Sequence, residues 1–238
     1  MIAVILAAGK GSRLRPITDS LPKCLVKVNG IPILQYQLDA FQSAGIRKII
    51  IVTGYLSKQV DTYVSELPQN SFDIIIVENK DYTHTNNMYS FWLTKEWVDD
   101  DILLSNGDVI FDPLIVKNLA AAEQPNLVAS DINTFLEENM KIAVRNGIIF
   151  DINKSIPQGM AFATSIDLYR LRKEAVYKLY TIIKTKYIEQ NEFNQWTEVA
   201  LKDLFQEEIF RPFDIQGKRW IEIDTPADLQ EAERLFGG

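Results

Sequence analysis

The chain has 238 residues, 47% hydrophobic and 24% charged, the composition of a globular protein long enough to bury a core. Its formal charge of −7 excludes a surface built to hold nucleic acid or anionic lipid, partners that select basic proteins. A lone cysteine, Cys24, excludes an internal disulfide and a cysteine-based zinc site, and beside Pro22-Lys23 it reads as a packing residue.

An apolar strand over 2–8 ends at Gly9 and Gly11. From there to Lys27 five cations (Lys10, Arg13, Arg15, Lys23 and Lys27) face one carboxylate, Asp19. Glycines let backbone N–H groups turn toward phosphate oxygens while Arg and Lys add full charge, so this stretch reads as a cradle for a polyphosphate. A dinucleotide fingerprint would need a third glycine where Leu14 stands. A Walker loop would need Ser or Thr where Gly11 follows Lys10.

Helical spacing of Leu34, Leu38 and Phe41 predicts a helix over 31–44, stopped by Gly45. A β-branched run predicts a strand at 48–53, a short helix fits 57–67, and 72–77 reads as a further strand buried on both faces. A polar turn at 81–87, where the single histidine His84 reads as a solvated loop residue, leads into a helix through Trp97. A strand at 102–105 ends at Asn106-Gly107-Asp108, Asp112-Pro113 opens another helix, and 126–131 is a strand.

The pattern changes near Met140. Two short strands around Asn146-Gly147 predict an antiparallel hairpin. Ser165 is then expected to cap a long helix reaching Ile188, with Leu168, Leu171, Ala175, Leu179 and Ile182 along one side. A helix at 196–205, strands at 210–215 and 220–224, and a last helix from Pro226 through Phe236 complete the chain.

The fold expected is a Rossmann-like α/β domain, with a mainly parallel sheet flanked by helices and a small antiparallel hairpin insertion. Residues 1–238 are read as one domain, with accessory elements around 135–215 on the acceptor side. No stretch approaches the roughly 18 apolar residues of a membrane span, and Met1 leads directly into a strand. The protein is therefore expected to be cytoplasmic, with no membrane and no nucleic-acid partner. A homodimer is left open.

A polyphosphate and an anionic second substrate repel each other, so a transferase joining them needs a divalent cation, for which Mg²⁺ prefers a few carboxylates plus substrate oxygens. Asp108 and Asp224, each just past a strand, are the natural pair.

The pattern G-x-G-x-R-L-x-P-x-T-x-x-x-P-K from Gly9 to Lys23, preceded by Leu6-Ala7-Ala8, resembles the signature of the sugar-1-phosphate nucleotidyltransferase superfamily. Asn106-Gly107-Asp108 and the run from Trp220 through Asp224 to Leu229 resemble its two acidic motifs, although the superfamily's usual acidic residue next to Asp108 is absent. This resemblance implies that Asp108 and Asp224 hold Mg²⁺. It also implies that Leu6, Ala7, Ala8, Gly9, Gly11, Ser12 and Gly107 bind the nucleotide. Arg13 would then stabilise the departing phosphates, and Lys23 the α-phosphate.

Thr85-Asn86-Asn87-Met88-Tyr89-Ser90, together with the 220–228 segment, resembles the phosphocholine cytidylyltransferase branch. That resemblance implies CMP transfer from a nucleoside triphosphate, CTP, to a small phosphorylated acceptor, phosphocholine first among them. Asn86 and Asn87 are the substrate-binding candidates there. A trimethylammonium group is caged by aromatic faces, for which Tyr89 and Trp196 are the candidates, whereas a primary amine would want a carboxylate such as Glu198. Cytidylyl transfer to phosphoethanolamine or aminoethylphosphonate, uridylyl or thymidylyl transfer to a sugar 1-phosphate, and a catalytically silent regulatory subunit are the alternatives.

Overall fold

The computed structural model describes residues 1–68, 71–132 and 134–237. After β1 (Ile2–Ala7), a short hairpin of β2 (Lys27–Val28) and β3 (Ile31–Pro32) leads into α1 (Ile33–Ser43). Then follow β4 (Lys48–Thr53), α2 (Ser57–Ser65), β5 (Asp73–Glu78), α3 (Asn87–Trp92), β6 (Ile102–Asn106), β7 (Val109–Phe111), α4 (Pro113–Ala121) and β8 (Leu127–Asp131). The later part holds β9 (Lys141–Arg145), β10 (Ile148–Asn153), β11 (Ala163–Leu171), α5 (Lys173–Ile182), α6 (Thr197–Leu204), β12 (Arg211–Asp214), β13 (Trp220–Glu222) and α7 (Pro226–Phe236).

Strands β6, β1, β4 and β5 run parallel in that order. Successive side chains of a strand point to opposite faces. Val4 therefore joins Ile50, Phe91, Leu179 and Leu201 on one face, while Ala3 and Ile5 join Ile49, Leu38, Phe41 and Ile115 on the other. Helices cover both faces, which is why β1 and β4 read as uninterrupted apolar runs. Beyond β6 the same sheet turns antiparallel through β11, which pairs with β6 and β9 along one edge and with β8 along the other. Among the described residues no helix is long and apolar enough to cross a membrane.

The hairpin of β9 and β10 turns at Asn146 (φ 52°) and Gly147 (φ 73°), both left-handed, as a two-residue turn of matching twist demands. Two expectations fail. β5 is an edge strand with Ile74, Ile75 and Ile76 only half-buried, because its outer edge has no neighbouring strand among the described residues, even though Ile75 and Val77 meet the core on one face and Ile74 the core on the other.

The larger correction concerns residues 163–171, expected to open the long helix. They are a strand of nine consecutive buried residues, and α5 begins at Lys173. Leu168 and Leu171 continue the spacing of Ala175, Leu179 and Ile182 only by coincidence. Helix propensity differs by under about 1 kcal/mol per ordinary residue, whereas burying one large aliphatic side chain contributes roughly 1.5–3 kcal/mol, so pairing on both edges decides the conformation.

β7 and β13 form a separate antiparallel pair that joins two distant parts of the chain. Glu222 stands opposite Val109, and the Ile223 N–H donates to the Asp108 carbonyl at 2.9 Å. That register brings the end of β13 beside the turn after β6.

Candidate active site

A cavity of about 330 Å³ opens beyond the carboxyl ends of β1 and β6. β1 delivers Leu6, Ala7 and Ala8 to its wall, and the loop that follows adds Gly9, Gly11, Ser12 and Arg13. Gly11 lies at φ 61°, and a Cβ there would come within 3.0 Å of the Lys23 side chain, so glycine serves both the turn and the passage of Lys23 into the cavity. On the β6 side, the Gly107 N–H donates to the Leu6 carbonyl at 2.8 Å, and a Cβ would press on that same oxygen at 2.9 Å.

The two aspartates meet where these walls join. Lys23 Nζ lies 2.6 Å from Asp108 Oδ2 and 2.5 Å from Asp224 Oδ1, and Arg13 Nη2 lies 2.6 Å from Asp224 Oδ2. Glu222, which sequence reasoning passed over, joins them. Asp108, Glu222 and Asp224 each offer an oxygen within 4.8 Å of the others. The missed signal was the two-residue spacing of Glu222 and Asp224, which in extended chain puts both on one side. The Asn139 amide donates to Glu222 Oε2 at 2.7 Å.

Burial works against the Lys23 charge, but the Asp108 and Asp224 carboxylates outweigh it and raise the Lys23 pKa above the usual lysine range. Burial pulls Asp224 upward too, yet Lys23 foremost, and Arg13 with it, hold its pKa low. Glu222 is pushed well above the usual carboxylate range by burial and then by the charges of Asp167, Asp108 and Asp224. Among the described residues Asp108 Oδ1, which is buried, has no hydrogen-bond partner. A trio of carboxylate oxygens, one of them orphaned, is the donor set of a hard divalent cation, and these residues fit one.

The rest of the wall is organised by asparagines. Asn86 caps α3, its side chain accepting from the Asn87 N–H at 2.8 Å, and Asn87 Oδ1 accepts from the Thr197 N–H at 2.8 Å. Both line the cavity, as do Trp196 and Glu198 at the start of α6. Asn106 donates to Asp167 Oδ2 at 3.0 Å. Asp167 sits at φ 55°, where the pairing of β11 with β8 shifts register, so the bulge turns its carboxylate into the cavity.

The Tyr169 hydroxyl lies 3.0 Å from Asp167 Oδ1 and 2.8 Å from Glu198 Oε1. One phenolic proton cannot serve two carboxylates, so two full hydrogen bonds require one carboxyl to be protonated. Burial first, then the Glu198 and Asp108 charges, push Asp167 up to about 7, and burial raises Glu198 as well. Asp167 also escaped sequence reasoning. Its signal was a carboxylate inside an apolar run, hidden by the helical reading of 163–171.

Tyr89 is not part of this wall. Its ring packs edge-on against Phe193, with centroids 5.5 Å apart, so the expected aromatic cage loses one side. Trp196 does face the cavity, with Lys154 Nζ 5.3 Å above its ring.

The profile of the nucleotidyl transferase family matches residues 2–150. Over 238 residues, covering 99% of this chain and 98% of the relative, the sequence is 28% identical to choline-phosphate cytidylyltransferase of Streptococcus pneumoniae. It is 30% identical to CMP-5'-(3-aminopropyl)phosphonate synthase of Streptomyces rubellomurinus, covering 98% of this chain and 38% of that protein. Among solved structures, the inositol-1-phosphate CTP transferase of T. maritima superposes with a TM-score of 0.84 at 26% identity, covering 99% of this chain and 94% of the other.

Proposed function

Because the chain belongs to the nucleotidyl transferase family, whose profile spans residues 2–150, we propose that it transfers CMP from CTP to a small acceptor that joins a phosphate or phosphonate to a cationic nitrogen. Phosphocholine, phosphoethanolamine and aminoalkylphosphonates make up that class. The names of the cytidylyl-transferring relatives support the nucleotide. The observation that carries the acceptor is the buried pair Asp167 and Glu198, in the same cavity as Arg13, Lys23 and the three clustered carboxylates.

An oxygen of the acceptor phosphate attacks the α-phosphorus of CTP, the bond to the bridging oxygen breaks, and the electron pair leaves with pyrophosphate. Gly9 to Ser12 cradle the triphosphate, Arg13 meets the charge gathering on pyrophosphate, and Lys23 meets the α-phosphate in the transition state. Asp108, Glu222 and Asp224 would hold a Mg²⁺, which supplies charge neutralisation between the two anionic reactants. Asn86 and Asn87 fix the wall behind the acceptor.

Lys154, which lines the same cavity, offsets the burial of Glu198 only in part, and an ammonium group entering beside Asp167 and Glu198 would relieve their mutual repulsion. A primary ammonium can donate N–H to both oxygens, whereas a trimethylammonium relies on aromatic faces. With Tyr89 turned away, these carboxylates favour the primary amine, and the reading moves from phosphocholine toward phosphoethanolamine and aminoalkylphosphonates.

Pyrophosphate release tests this, with CTP, UTP, dTTP and ATP each paired with phosphocholine, phosphoethanolamine, 2-aminoethylphosphonate and glucose 1-phosphate. The expected outcome is turnover with CTP and the nitrogen-bearing acceptors, faster with a primary amine than with phosphocholine, and lost in EDTA. Turnover dominated by glucose 1-phosphate with UTP or dTTP would assign the chain to sugar activation instead.

A further inference from the structure

Helix α1 packs its apolar face into the core through Ile33, Leu34, Leu38, Ala40 and Phe41, and in the middle of that face stands Gln37, 0% exposed. A residue needed only for packing there would be Leu or Met, because a buried amide must find partners. Gln37 spends both amide hydrogens on one turn. Nε2 donates to the Asn106 carbonyl at 2.7 Å and to the Val109 carbonyl at 2.8 Å. Those oxygens flank Gly107 and Asp108. Oε1 of the same side chain is buried without a partner among the described residues, a costly placement that is tolerated for what the amide hydrogens do.

The turn is therefore gripped from three sides, one of them the Ile223 N–H of the β13 end on the Asp108 carbonyl at 2.9 Å. On the β1 side the Gly107 N–H is tied to the Leu6 carbonyl, and on the α1 side Gln37 ties the carbonyls before and after Gly107-Asp108. Nothing comparable holds the Asp108 carboxylate itself, whose Oδ2 meets Lys23 and whose Oδ1 has no partner among the described residues. Its position relative to Asp224 is set by the backbone of the turn together with the Lys23 bridge, and its position relative to Glu222 by the backbone of the turn.

We propose that Gln37 is a positioning residue, which fixes the Gly107-Asp108 turn so that the Asp108 carboxylate stays within reach of Glu222 and Asp224 as a divalent-cation ligand. This rests on the reading of Asp108 as a metal ligand. Gln37→Met keeps volume and removes both donors, leaving the Val109 carbonyl without its Gln37 donor and the Asn106 carbonyl with only the Ser105 hydroxyl at 3.0 Å, and the turn relaxes away from α1.

The test is Mn²⁺ binding, followed by the paramagnetic signal of free Mn²⁺ with no nucleotide and no turnover, in the parent, Gln37→Met and Asp108→Asn. Loss of a group that orients a metal ligand typically weakens metal affinity by about 10–100-fold, and that is the change expected in Gln37→Met. In turnover assays the half-saturating Mg²⁺ concentration should rise in step, while the KM for CTP at saturating metal stays within about twofold.

A purely structural role would lower the melting temperature and leave Mn²⁺ affinity where it was, and that result overturns the proposal. Should Gln37→Met fail to fold, Gln37→Asn, one methylene too short to reach both carbonyls, takes the same measurement and is judged the same way. If Asp108→Asn binds Mn²⁺ as the parent does, the ligand reading falls and takes the role of Gln37 with it. Weakened binding in Asp108→Asn beside unchanged binding in the Gln37 variants refutes the role of Gln37 alone.

Discussion

Lys23 spans Asp108 and Asp224 with one ammonium group, at 2.6 and 2.5 Å, inside the cavity that Gly11 leaves open for it. In the proposed reaction that ammonium matters most when charge moves onto the phosphates, because interactions strengthened only in the transition state raise kcat. Removing one donor aimed at developing charge typically costs about 10²–10³ in kcat. Lys23→Ala should show that loss with little change in the KM for CTP, in steady-state assays at saturating Mg²⁺. A variant in which KM alone rises would mark Lys23 as a uniform binding contact. Lys23 and Arg13 were legible in the sequence because their spacing to Gly9 and Gly11 lies within one contiguous stretch. Glu222, Asp167 and Gln37 were not, since each acquires its partner only when remote strands and helices pair.

The connection from β13 into α7 carries Asp224, and its geometry is set by a reciprocal cap. Thr225 Oγ1 accepts from the Asp228 N–H at 3.3 Å, while Asp228 Oδ2 accepts from the N–H groups of Thr225 at 2.7 Å and Asp224 at 3.1 Å. Losing a threonine cap costs about 1 kcal/mol, and for a chain of this size that corresponds to a melting temperature lower by about 2–4 °C. Thr225→Ala should show this shift in a thermal melt, and an unchanged melting temperature would mean that α7 does not depend on its cap. The start of α7 was readable from Pro226. Residues 163–171 were not readable as β11, because their apolar spacing suits a helix and the edges that claim them, β6, β8 and β9, come from elsewhere in the chain.

Across the whole molecule the parallel half of the sheet was legible, because strands buried on both faces are uninterrupted apolar runs. In the antiparallel half β8, β12 and the hairpin of β9 and β10 were legible as well, but β11 was not, and β11 carries Asp167, the buried carboxylate that meets Glu198 of α6 through Tyr169. Asp167, pushed up to about 7 by burial and by the neighbouring Glu198 and Asp108, titrates above its ordinary value of 3.8. The folded state therefore binds this proton more tightly than the unfolded state does, and stability contributed at low pH is lost as pH rises from about 4 through about 7. Asp167→Asn keeps the shape, tolerates the left-handed φ of 55°, and abolishes that loss. The variant should melt above the parent at pH 8, by about 2–4 °C for each kcal/mol recovered, with a clearly smaller gap at pH 5. It should at the same time have a higher KM for a primary-amine acceptor, because it gives up the charge proposed to bind it. That pairing of gained stability with lost acceptor affinity is expected of a residue kept for function against the interest of the fold. A variant that melts below the parent at pH 8, or a gap that does not change with pH, would show that Asp167 is not held at the strained protonation its burial implies.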